Sequence, residues 1–325
     1  MFTKRAIAEM PPFRLVLNVL AILVLSAPFL IAAAGLLHLG HRWPDILAQF
    51  VAPAFWLTLL FLAIVALARL WPATVVAGVT ALLLLIAAWP QWTPPKGEAA
   101  ENAPILRLYS ANLWARNEDI DAIVASIQKA DADVVVLIEL GDTPAVQLDR
   151  ILAGYPHRQV TPRVDRPSGA ARSVIASRFP LTLVKDRDDG LHAVTAVADT
   201  PIGAVNIVGV HLTRPWPFQY QWGQITQVMA LTERLKDLNG PIIVAGDFNS
   251  VSSARIGRQV QRDTGLIPAP GLPGTWPSPA PGALRMTIDQ VYRSSDLALI
   301  QRRLGAPTGS DHRPVITEFS PAATD

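Results

Sequence analysis

The stretch PIIVAGDFNS (residues 241–250) leads four apolar residues and a glycine directly into an acid, an aromatic ring and an amide. A short apolar run of this kind is typical of a buried β-strand. Asp247 and Asn249 then lie at the end of that strand, where a polar side chain is costly to bury unless it has a partner. The stretch therefore predicts a strand that presents polar chemistry at its carboxyl end.

The same arrangement recurs along the chain after residue 104. Strands are predicted for the segments ILRLYSANLW, DVVVLIEL, SVIASRFPL, HAVTAVAD, AVNIVGVHL, TIDQVYRS and RPVITEFS. The polar residues at or just beyond the predicted strand ends are Asn112, Glu139, His211, Asp289, Asp311 and His312. A rigid sheet can hold several such side chains toward one cleft. Together with Asp247 and Asn249, these residues are the candidate site.

Helices are fewer than strands in this part of the sequence. Apolar residues at 120, 123, 124 and 127 recur at helical spacing, and a longer helical pattern spans roughly residues 219–236. An excess of strands over helices favours packed mixed sheets over a simple parallel wound fold. The sequence contains no internal repeat and no glycine-rich phosphate loop. We predict one α/β domain over residues 105–325.

The residue types at these strand ends point to one kind of chemistry. Several carboxylates with amides and two histidines, in a chain without cysteine, suit a hard, oxygen-preferring cation such as Mg²⁺ or Mn²⁺ rather than zinc. Hydrolysis of phosphate esters is a frequent use of such a site. Taken singly, Asn112 could cap a helix, Glu139 could pair with an arginine, and His211 could be a hydrogen-bonded core residue. The prediction therefore depends on the whole set.

Six motifs resemble those of one known superfamily. The segments ANLW, VVVLIEL, VGVHLT, AGDFNS, TIDQVY and GSDHRPV occur in the order and approximate spacing of the endonuclease/exonuclease/phosphatase superfamily, and GDFN and SDH are the most specific of them. The resemblance covers nearly the whole domain. It implies a type I deoxyribonuclease-like four-layer α/β sandwich, in which two packed mixed sheets are flanked by helices, and divalent-metal-dependent phosphoester hydrolysis.

The resemblance also implies a role for each candidate residue. Glu139, helped by Asn112, would hold a divalent cation against the phosphate, and Asp311 would support the metal or the neighbouring histidine. Asp247 would orient or deprotonate the attacking water. The remaining catalytic residues implied are His211 and Asn249, as donors to the phosphoryl oxygens, and Asp289, which would fix the tautomer of His312.

The first 92 residues differ from the rest in composition. The whole chain is 50% hydrophobic and only 17% charged, with a mean hydropathy of +0.30, which is too apolar for an ordinary soluble protein of this length. Three long stretches lack Asp, Glu, Lys and Arg, and each reaches the about 20 residues that a bilayer requires. We predict a membrane anchor over residues 1–92 with three transmembrane helices, at about 15–41, 46–68 and 70–92. A cleaved signal peptide fits the first stretch less well, because two more apolar stretches follow it.

The basic residues near the predicted spans indicate their orientation. One side would carry Lys4, Arg5, Arg14 and Arg69, whereas the other would carry Arg42 and Lys96. The positive-inside rule then places the N-terminus in the cytoplasm and everything after Trp92 outside it. We predict a multi-pass protein of the cell membrane with an extracytoplasmic catalytic domain, joined to its anchor by an extended, proline-containing linker over residues 93–104.

The charge of the domain bears on its substrate. From residue 104 onward the chain has 22 basic and 22 acidic residues, whereas a nuclease that grips several phosphates would carry a basic face. One local basic stretch exists, and its members are Arg158, Arg163, Arg166, Arg172 and Arg178. This stretch is either a solvated loop beside acidic neighbours or a surface that holds phosphate or anionic headgroups.

Aromatic residues alternate in the segment HLTRPWPFQYQW (residues 211–222). Trp216, Phe218, Tyr220 and Trp222 occupy every second position near Arg214, and the two intervening prolines favour a projecting loop. We predict that this loop meets the lipid bilayer and the substrate. The predicted substrate-binding residues are accordingly Arg214, Trp216 and, from the basic stretch, Arg172. The alternative is that the rings pack on the following helix, Trp222 above all.

The residues leave three functions open. The first is a membrane-anchored phosphoesterase that acts outside the cytoplasm. Its substrate would be a phosphate ester or a pyrophosphate, and a lipid-linked phosphate is one form of it. Its architecture resembles the branch of the superfamily that includes vancomycin and teicoplanin resistance membrane proteins. The second is an extracytoplasmic nuclease acting on DNA or RNA, which the neutral domain disfavours. The third is a non-catalytic membrane protein that keeps the fold for binding, and the intact polar set argues against it.

Overall fold

The structure is a computed structural model of the chain and describes residues 11–161, 172–185, 187, 189–191, 193–215 and 220–323. The chain separates into two compact units, Met1–Pro90 and Gln91–Asp325. The described part of the first unit is helical, and the second unit contains the α/β domain.

Apolar helices make up the N-terminal unit. Their bounds are α1 Pro12–Leu37, α2 Arg42–Ala48, α3 Val51–Leu67 and α4 Trp71–Trp92. Helices α1 and α4 are each long and apolar enough to cross a membrane, whereas α2 and α3 are bent by 56° at a short break. The three predicted spans are therefore found, in the described part of the chain, as two, or as three where the bent pair counts as one broken span.

The bend between α2 and α3 has a local cause. Gln49 and Phe50 separate the two helices, and Pro53 stands in the first turn of α3. Proline has no N–H to donate, and its ring crowds the carbonyl four residues earlier, which here is that of Gln49. The predicted continuous helix over residues 46–68 is interrupted for this reason.

The segment predicted as a linker, residues 93–104, belongs to the second unit and is hydrogen bonded within it. The carbonyl of Lys96 accepts from the backbone N–H of Leu299 at 2.7 Å. Ala99 forms an isolated antiparallel bridge with Ala322. The segment is extended, as the sequence indicates, but it lies against the strands of its own unit.

Two six-stranded mixed sheets form the centre of the second unit as described. The strands are β1 Leu106–Asn112, β2 Val134–Ile138, β3 His157–Val160, β4 Val174–Ser177, β5 Leu181–Leu183, β6 Val194–Thr200, β7 Gly203–His211, β8 Ile242–Asp247, β9 Ile267–Pro268, β10 Asp289–Arg293, β11 Leu297–Leu304 and β12 Val315–Pro321. The order in sheet A is β11-β12-β1-β2-β4-β3, and in sheet B it is β5-β6-β7-β8-β10-β9. The parallel pairs β1–β2 and β7–β8 lie at the middle of the two sheets.

Helices cover the outer faces of both sheets. They are α5 Ile120–Ala130, α6 Asp142–Val146, α7 Leu148–Ile151, α8 Trp222–Lys236 and α9 Arg255–Thr264, with a 3₁₀ turn at Gly282–Leu284. One apolar cluster joins the inner faces of the sheets, a second joins sheet A to α5, and a third joins sheet B to α8 and α9. The predicted sandwich of two packed mixed sheets flanked by helices is confirmed.

Alternation along the central strands decides where the polar strand ends point. In β8, Ile243 and Ala245 face the inter-sheet core, so Asp247 continues the same face by the period of two. In β7, Ile207 faces that core and Gly209 allows close approach to Val136 of sheet A. The last residue of each central strand is therefore directed into the space between the two sheets.

Candidate active site

Side chains from both sheets meet at the carboxyl ends of the parallel strands. In sheet B, His211 pairs in register with Asp247, and Asp247 pairs with Asp289. From sheet A, Nδ2 of Asn112 donates to Oδ2 of Asp247 at 3.1 Å. Four residues predicted from separate segments thus lie together at one edge of the sandwich.

Asp247 is the most buried carboxylate of this group, with 2% of its surface exposed. Its Oδ1 accepts from the backbone N–H of Asn249 at 2.7 Å, and Oδ2 accepts from the side-chain amides of Asn112 and Asn249 at 3.1 and 3.3 Å. Burial raises the pKa of Asp247 from 3.8 to about 6, against the lowering effect of the neighbouring His312. The side chain is therefore a carboxylate at neutral pH with basicity above that of an ordinary aspartate.

The turn after β8 is held in an unusual backbone conformation. Asn249 has φ of +48°, a left-handed conformation that asparagine tolerates better than most residues. Its Nδ2 donates to the carbonyl of Leu212 at 2.9 Å. Nε2 of the fully buried Gln224 donates to the carbonyls of Phe248 and Asn249 at 3.0 and 3.2 Å. Gln224 was not predicted, because the sequence shows it only as one polar position in an amphipathic helix.

Glu139 and His211 form a second, more accessible pair. Oε1 of Glu139 lies 3.1 Å from Nε2 of His211, and about a fifth of each side chain is exposed. Glu139 has φ of +52°, which costs on the order of 1 kcal/mol for a residue of this type. The same Nε2 of His211 lies 3.9 Å from Oδ2 of Asp247. Glu139, which follows β2 of sheet A, therefore lies beside His211 and Asp247 of sheet B.

His312 and Asp289 form a buried dyad. Nδ1 of His312 lies 2.9 and 3.1 Å from the two carboxylate oxygens of Asp289. Burial lowers the pKa of His312, but the carboxylates of Asp289, Asp247 and Asp311 outweigh this effect and raise the pKa to about 10. At neutral pH His312 is therefore an imidazolium, and its Nε2 lies 3.9 Å from Oδ2 of Asp247.

Asp311 lies beside this dyad and is fixed by a residue that the sequence did not single out. Nε1 of Trp276 donates to Oδ2 of Asp311 at 3.0 Å. Oδ1 of Asp311 is buried without a hydrogen-bond partner in the part of the chain that the structure describes, and it lies 3.9 Å from Nε2 of His312. Trp276 stands in a proline-rich loop far from SDH in sequence, so no local signal relates the two.

The predicted substrate-binding residues have different outcomes. Arg214 is exposed three residues after His211. Arg172 is paired with Asp142, with Nη2 2.6 Å from Oδ1. Trp216 and Phe218 lie outside the described residues.

The described part of the basic stretch is used within the domain. Arg158 pairs with Asp149 at 2.5 Å and Arg178 pairs with Asp131 at 2.5 Å, as Arg172 does with Asp142. Arg163 and Arg166 lie outside the described residues. The described arginines therefore fit the interpretation of a solvated loop beside acidic neighbours.

The donor set at this edge fits a hard divalent cation. Among the described residues, Asp247, Asp289 and His312 can place one ligand atom each within 4.8 Å of the others. Both oxygens of Asp289 already face the imidazole of His312, so these two residues are better described as a hydrogen-bonded pair. The ligands implied by the sequence resemblance, Asn112, Glu139 and Asp311, lie around the same group and supply further oxygens, which Mg²⁺ and Mn²⁺ prefer.

Comparisons with known proteins agree with this architecture. The model of the Endonuclease/Exonuclease/phosphatase family matches residues 109–312. An endonuclease/exonuclease/phosphatase from Beutenbergia cavernae is 20% identical, with a TM-score of 0.52 and coverage of 67% of this chain and 72% of that one. The corresponding protein from Bacteroides vulgatus is 14% identical, with a TM-score of 0.56 and coverage of 67% and 99%. TDP2 from Caenorhabditis elegans is 14% identical, with a TM-score of 0.52 and coverage of 78% and 84%.

These structural likenesses concern the fold, because their sequence identities are low. No match to a curated protein was found. The resemblance to vancomycin and teicoplanin resistance membrane proteins stays a prediction.

Proposed function

Because the chain belongs to the endonuclease/exonuclease/phosphatase family, whose members are hydrolases acting on phosphoester bonds, we propose that it is a membrane-anchored, divalent-metal-dependent phosphoesterase whose site faces the extracytoplasmic side. One observation carries the catalytic part of this proposal. Residues from the ends of β1, β7, β8 and β10 converge on Asp247, and His312 and Glu139 complete the group.

Asp247 is the proposed base. Its raised pKa of about 6 keeps it ionised at neutral pH while making it more basic than an ordinary aspartate, which is the compromise that general base catalysis favours. The amides of Asn112 and Asn249 orient its two oxygens. A water molecule held by this carboxylate would lose its proton to Asp247 as it attacks phosphorus. The bond from phosphorus to the ester oxygen would break, and the alcohol would leave after taking a proton from solvent.

His312 is the proposed source of positive charge toward the phosphoryl oxygens. Hydrolysis places extra negative charge on those oxygens, and a preorganised imidazolium stabilises that charge. Asp289 accepts from Nδ1 of His312, so Nε2 is the nitrogen left to donate toward the substrate. His211 is proposed as a further donor and Arg214 as a contact to the substrate. The side-chain amide of Asn249 already donates to Leu212 and Asp247, so the predicted role of Asn249 as a phosphoryl donor is replaced here by the role of orienting Asp247.

Glu139, helped by Asn112 and Asp311, is proposed to hold the divalent cation. A bound Mg²⁺ or Mn²⁺ would supply charge neutralisation at the phosphate. The chain's own contribution is to keep Glu139 near His211 through the left-handed turn that follows β2. The orphaned Oδ1 of Asp311, 3.9 Å from Nε2 of His312, is a second oxygen available.

Substitution of Glu139 by glutamine tests the metal assignment. A neutral amide binds a hard cation less strongly than a carboxylate does, so we expect the Mg²⁺ concentration for half-maximal activity to rise at least about tenfold. Titration of initial rates with Mg²⁺ measures this change. Glu318→Gln, which alters the carboxylate that pairs with Arg107 in sheet A, is the matched control. Unchanged metal dependence in Glu139→Gln contradicts the assignment.

The anchoring part of the proposal uses α1, the bent pair α2–α3 and α4 as three crossings. With the N-terminus in the cytoplasm, an odd number of crossings places the catalytic domain outside, whereas two crossings by α1 and α4 alone would return it to the cytoplasm. Arg69 lies in a turn between α3 and α4, so its side of the membrane discriminates between the two arrangements.

Reporter fusions test this topology. An alkaline phosphatase moiety fused after Pro104 is expected to be active, and one fused after Arg69 inactive, because that enzyme requires export to fold and basic loops stay cytoplasmic. Green fluorescent protein fused at the same two positions gives the complementary readout. The reverse pattern would place the active site in the cytoplasm and contradict the proposed topology.

Nuclease activity is the main competing function. The neutral charge of the domain and the ion pairs of Arg158, Arg172 and Arg178 disfavour a surface that grips a polyphosphate backbone.

A panel of substrates separates these functions. Purified full-length protein with Mg²⁺ is given bis-p-nitrophenyl phosphate, a polyprenyl pyrophosphate, a phosphatidylinositol phosphate and plasmid DNA. Hydrolysis of the small diester or of a lipid phosphate supports the proposal. Nicking of DNA alone would establish the nuclease, and turnover of none would favour a binding protein.

A further inference from the structure

Large apolar side chains are exposed on the loops that leave the active-site edge. The exposed fractions are 40% for Trp114, 83% for Val146, 79% for Tyr220 and 67% for Trp222. Trp114 follows β1, Val146 ends the short helix after β2, and the other two stand at the start of α8, after β7. These are the three strands whose ends carry Asn112, Glu139 and His211.

Each of these loops is tied to the catalytic residues by its backbone. The N–H of Trp114 donates to Oδ1 of Asn112 at 2.8 Å, and Trp114 is held at φ of +58°. The carbonyl of Ala115 packs so closely on Gly141 that a side chain there would clash. Both connections hold the loop after β1 and the loop after β2 in place beside the site.

The start of α8 is fixed in the same way. Gln224 donates to the two carbonyls that follow Asp247, so the first turn of α8, which begins at Trp222, is attached to the catalytic turn. The sequence alternative in which Trp222 packs on this helix is not found, since two thirds of the side chain is exposed. The alternation of rings also ends there, because Trp222 is already helical.

The opposite edge of the sandwich has a different character. Strand β2 is entered through Asp131-Ala132-Asp133, and β8 is entered through Asp237-Leu238-Asn239-Gly240. These turns are short and mainly polar, as turns on a water-facing surface are expected to be. Single apolar side chains are exposed elsewhere on this unit, as at Ile105, Leu183 and Met229, whereas at the active-site edge four of them follow the ends of β1, β2 and β7.

We propose that Trp114, Val146, Tyr220 and Trp222 form an apolar rim that binds the hydrocarbon chain of an amphiphilic phosphoester. This inference rests on the proposed function, because it assumes that the phosphate lies at Asp247 and His312. It names the substrate class as a lipid-like phosphoester whose apolar part leaves the site across the rim.

Two further observations favour a hydrocarbon occupant over a nucleobase. Aromatic stacking platforms for single-stranded nucleic acids accompany a basic groove, and the described arginines of the basic stretch are instead paired with aspartates. The same chain carries two candidate membrane spans, and a protein held in a membrane has lipids as neighbours. Rigid amphipathic rings such as Trp and Tyr suit the boundary between a charged headgroup and an apolar chain.

A series of p-nitrophenyl alkyl phosphodiesters, from ethyl to dodecyl, tests the rim when each ester is kept below its micelle-forming concentration. Each methylene that leaves water completely is worth about fourfold in binding, so three buried methylenes give about a 50-fold preference in kcat/KM for dodecyl over ethyl. We expect the double variant Trp114→Ser and Trp222→Ser to reduce this preference at least about tenfold. Leu183→Ser, at an equally exposed leucine on the edge strand β5, is expected to keep it.

Every other result counts against the rim. A wild-type rate that does not depend on chain length overturns it, as does an equal loss on ethyl and dodecyl esters in the double variant. Activation seen only on vesicles, without dependence on chain length for monomers, would make the rim a bilayer contact instead.

Two controls keep these conclusions separate from folding and from the proposed function. Absence of hydrolysis of every ester in the series by the wild type contradicts the proposed function itself. If the double variant does not fold, competitive inhibition of the wild type by ethyl and dodecyl phosphonates gives the same comparison, and equal inhibition constants overturn the rim.

Discussion

Replacement of Asp247 by asparagine is expected to lower kcat by about 100-fold or more, because the general base is lost while the shape of the side chain is kept. The wild-type rate should also fall as the pH drops through about 6, where burial places the pKa of Asp247. Initial rates on bis-p-nitrophenyl phosphate between pH 5 and 8 measure both effects. The variant should lack this acid limb.

Stability provides the control for this variant. The folded-state pKa of Asp247 lies above its unfolded value of 3.8, so the protonated form favours folding below about pH 4, and that contribution is lost as the pH rises through about 6. At neutral pH the buried charge is therefore unfavourable, but an amide at residue 247 cannot accept from all three donors that face the carboxylate. The two effects oppose each other, so the melting temperature of Asp247→Asn should stay close to that of the wild type. Asp199→Asn, an exposed aspartate on β6, is the matched control. A variant at residue 247 with near-normal kcat would remove the base assignment.

Replacement of His312 by alanine is expected to lower kcat by about 100-fold or more, because an imidazolium directed at the developing charge is lost. The wild-type rate should fall as the pH rises through about 10, where His312 loses its proton. Loss of the cation also leaves the carboxylates of Asp247 and Asp289 buried beside one another. A lower melting temperature of His312→Ala is therefore expected, and kcat is compared only at temperatures where the variant is folded.

Asp289→Asn tests whether the reaction needs the positive charge of His312 or only its imidazole ring. Asp289 is the largest contribution that raises the pKa of His312, so its neutralisation should move the basic limb of the pH–rate profile to lower pH. A basic limb that does not move would show that the charge of the dyad is not used in the reaction.

The positions of the site residues follow from the sequence because a strand alternates its faces. Ile243 and Ala245 of β8 face the inter-sheet core, and an acid two residues further on must take the same face. The same rule applies to Asn112 and His211. What the sequence could not supply is which strand ends meet, and the registers of β7, β8 and β10 decide that.

Residues that support the site were missed for a physical reason. Gln224 and Trp276 act through one hydrogen bond or two to partners that are distant in sequence. Their own neighbourhoods contain only ordinary helix and loop patterns. Strand β11 was missed similarly, since the polar residues Gln301, Arg302 and Arg303 interrupt the apolar pattern by which a strand is recognised.

The N-terminal unit shows the limit of composition as a guide. An uncharged apolar stretch predicts that residues 46–68 can enter a membrane, but hydropathy does not register Pro53, which lacks the N–H that a continuous helix requires. The structure accordingly bends the segment into α2 and α3. In the same way, the composition of residues 93–104 indicated an extended segment and not the hydrogen bonds with Leu299, Pro321 and Ala323 that hold it.

The most direct test of the central claim is the hydrolysis of bis-p-nitrophenyl phosphate by the purified full-length protein before and after chelation of divalent metals. The strand-end group around Asp247 and His312 predicts measurable turnover, its loss with chelator, and its return on addition of Mg²⁺ or Mn²⁺. With Mg²⁺ or Mn²⁺ present, Asp247→Asn should be at least about 100-fold slower than the wild type. Turnover that survives chelation, or that is equal in the wild type and in Asp247→Asn, would contradict the account.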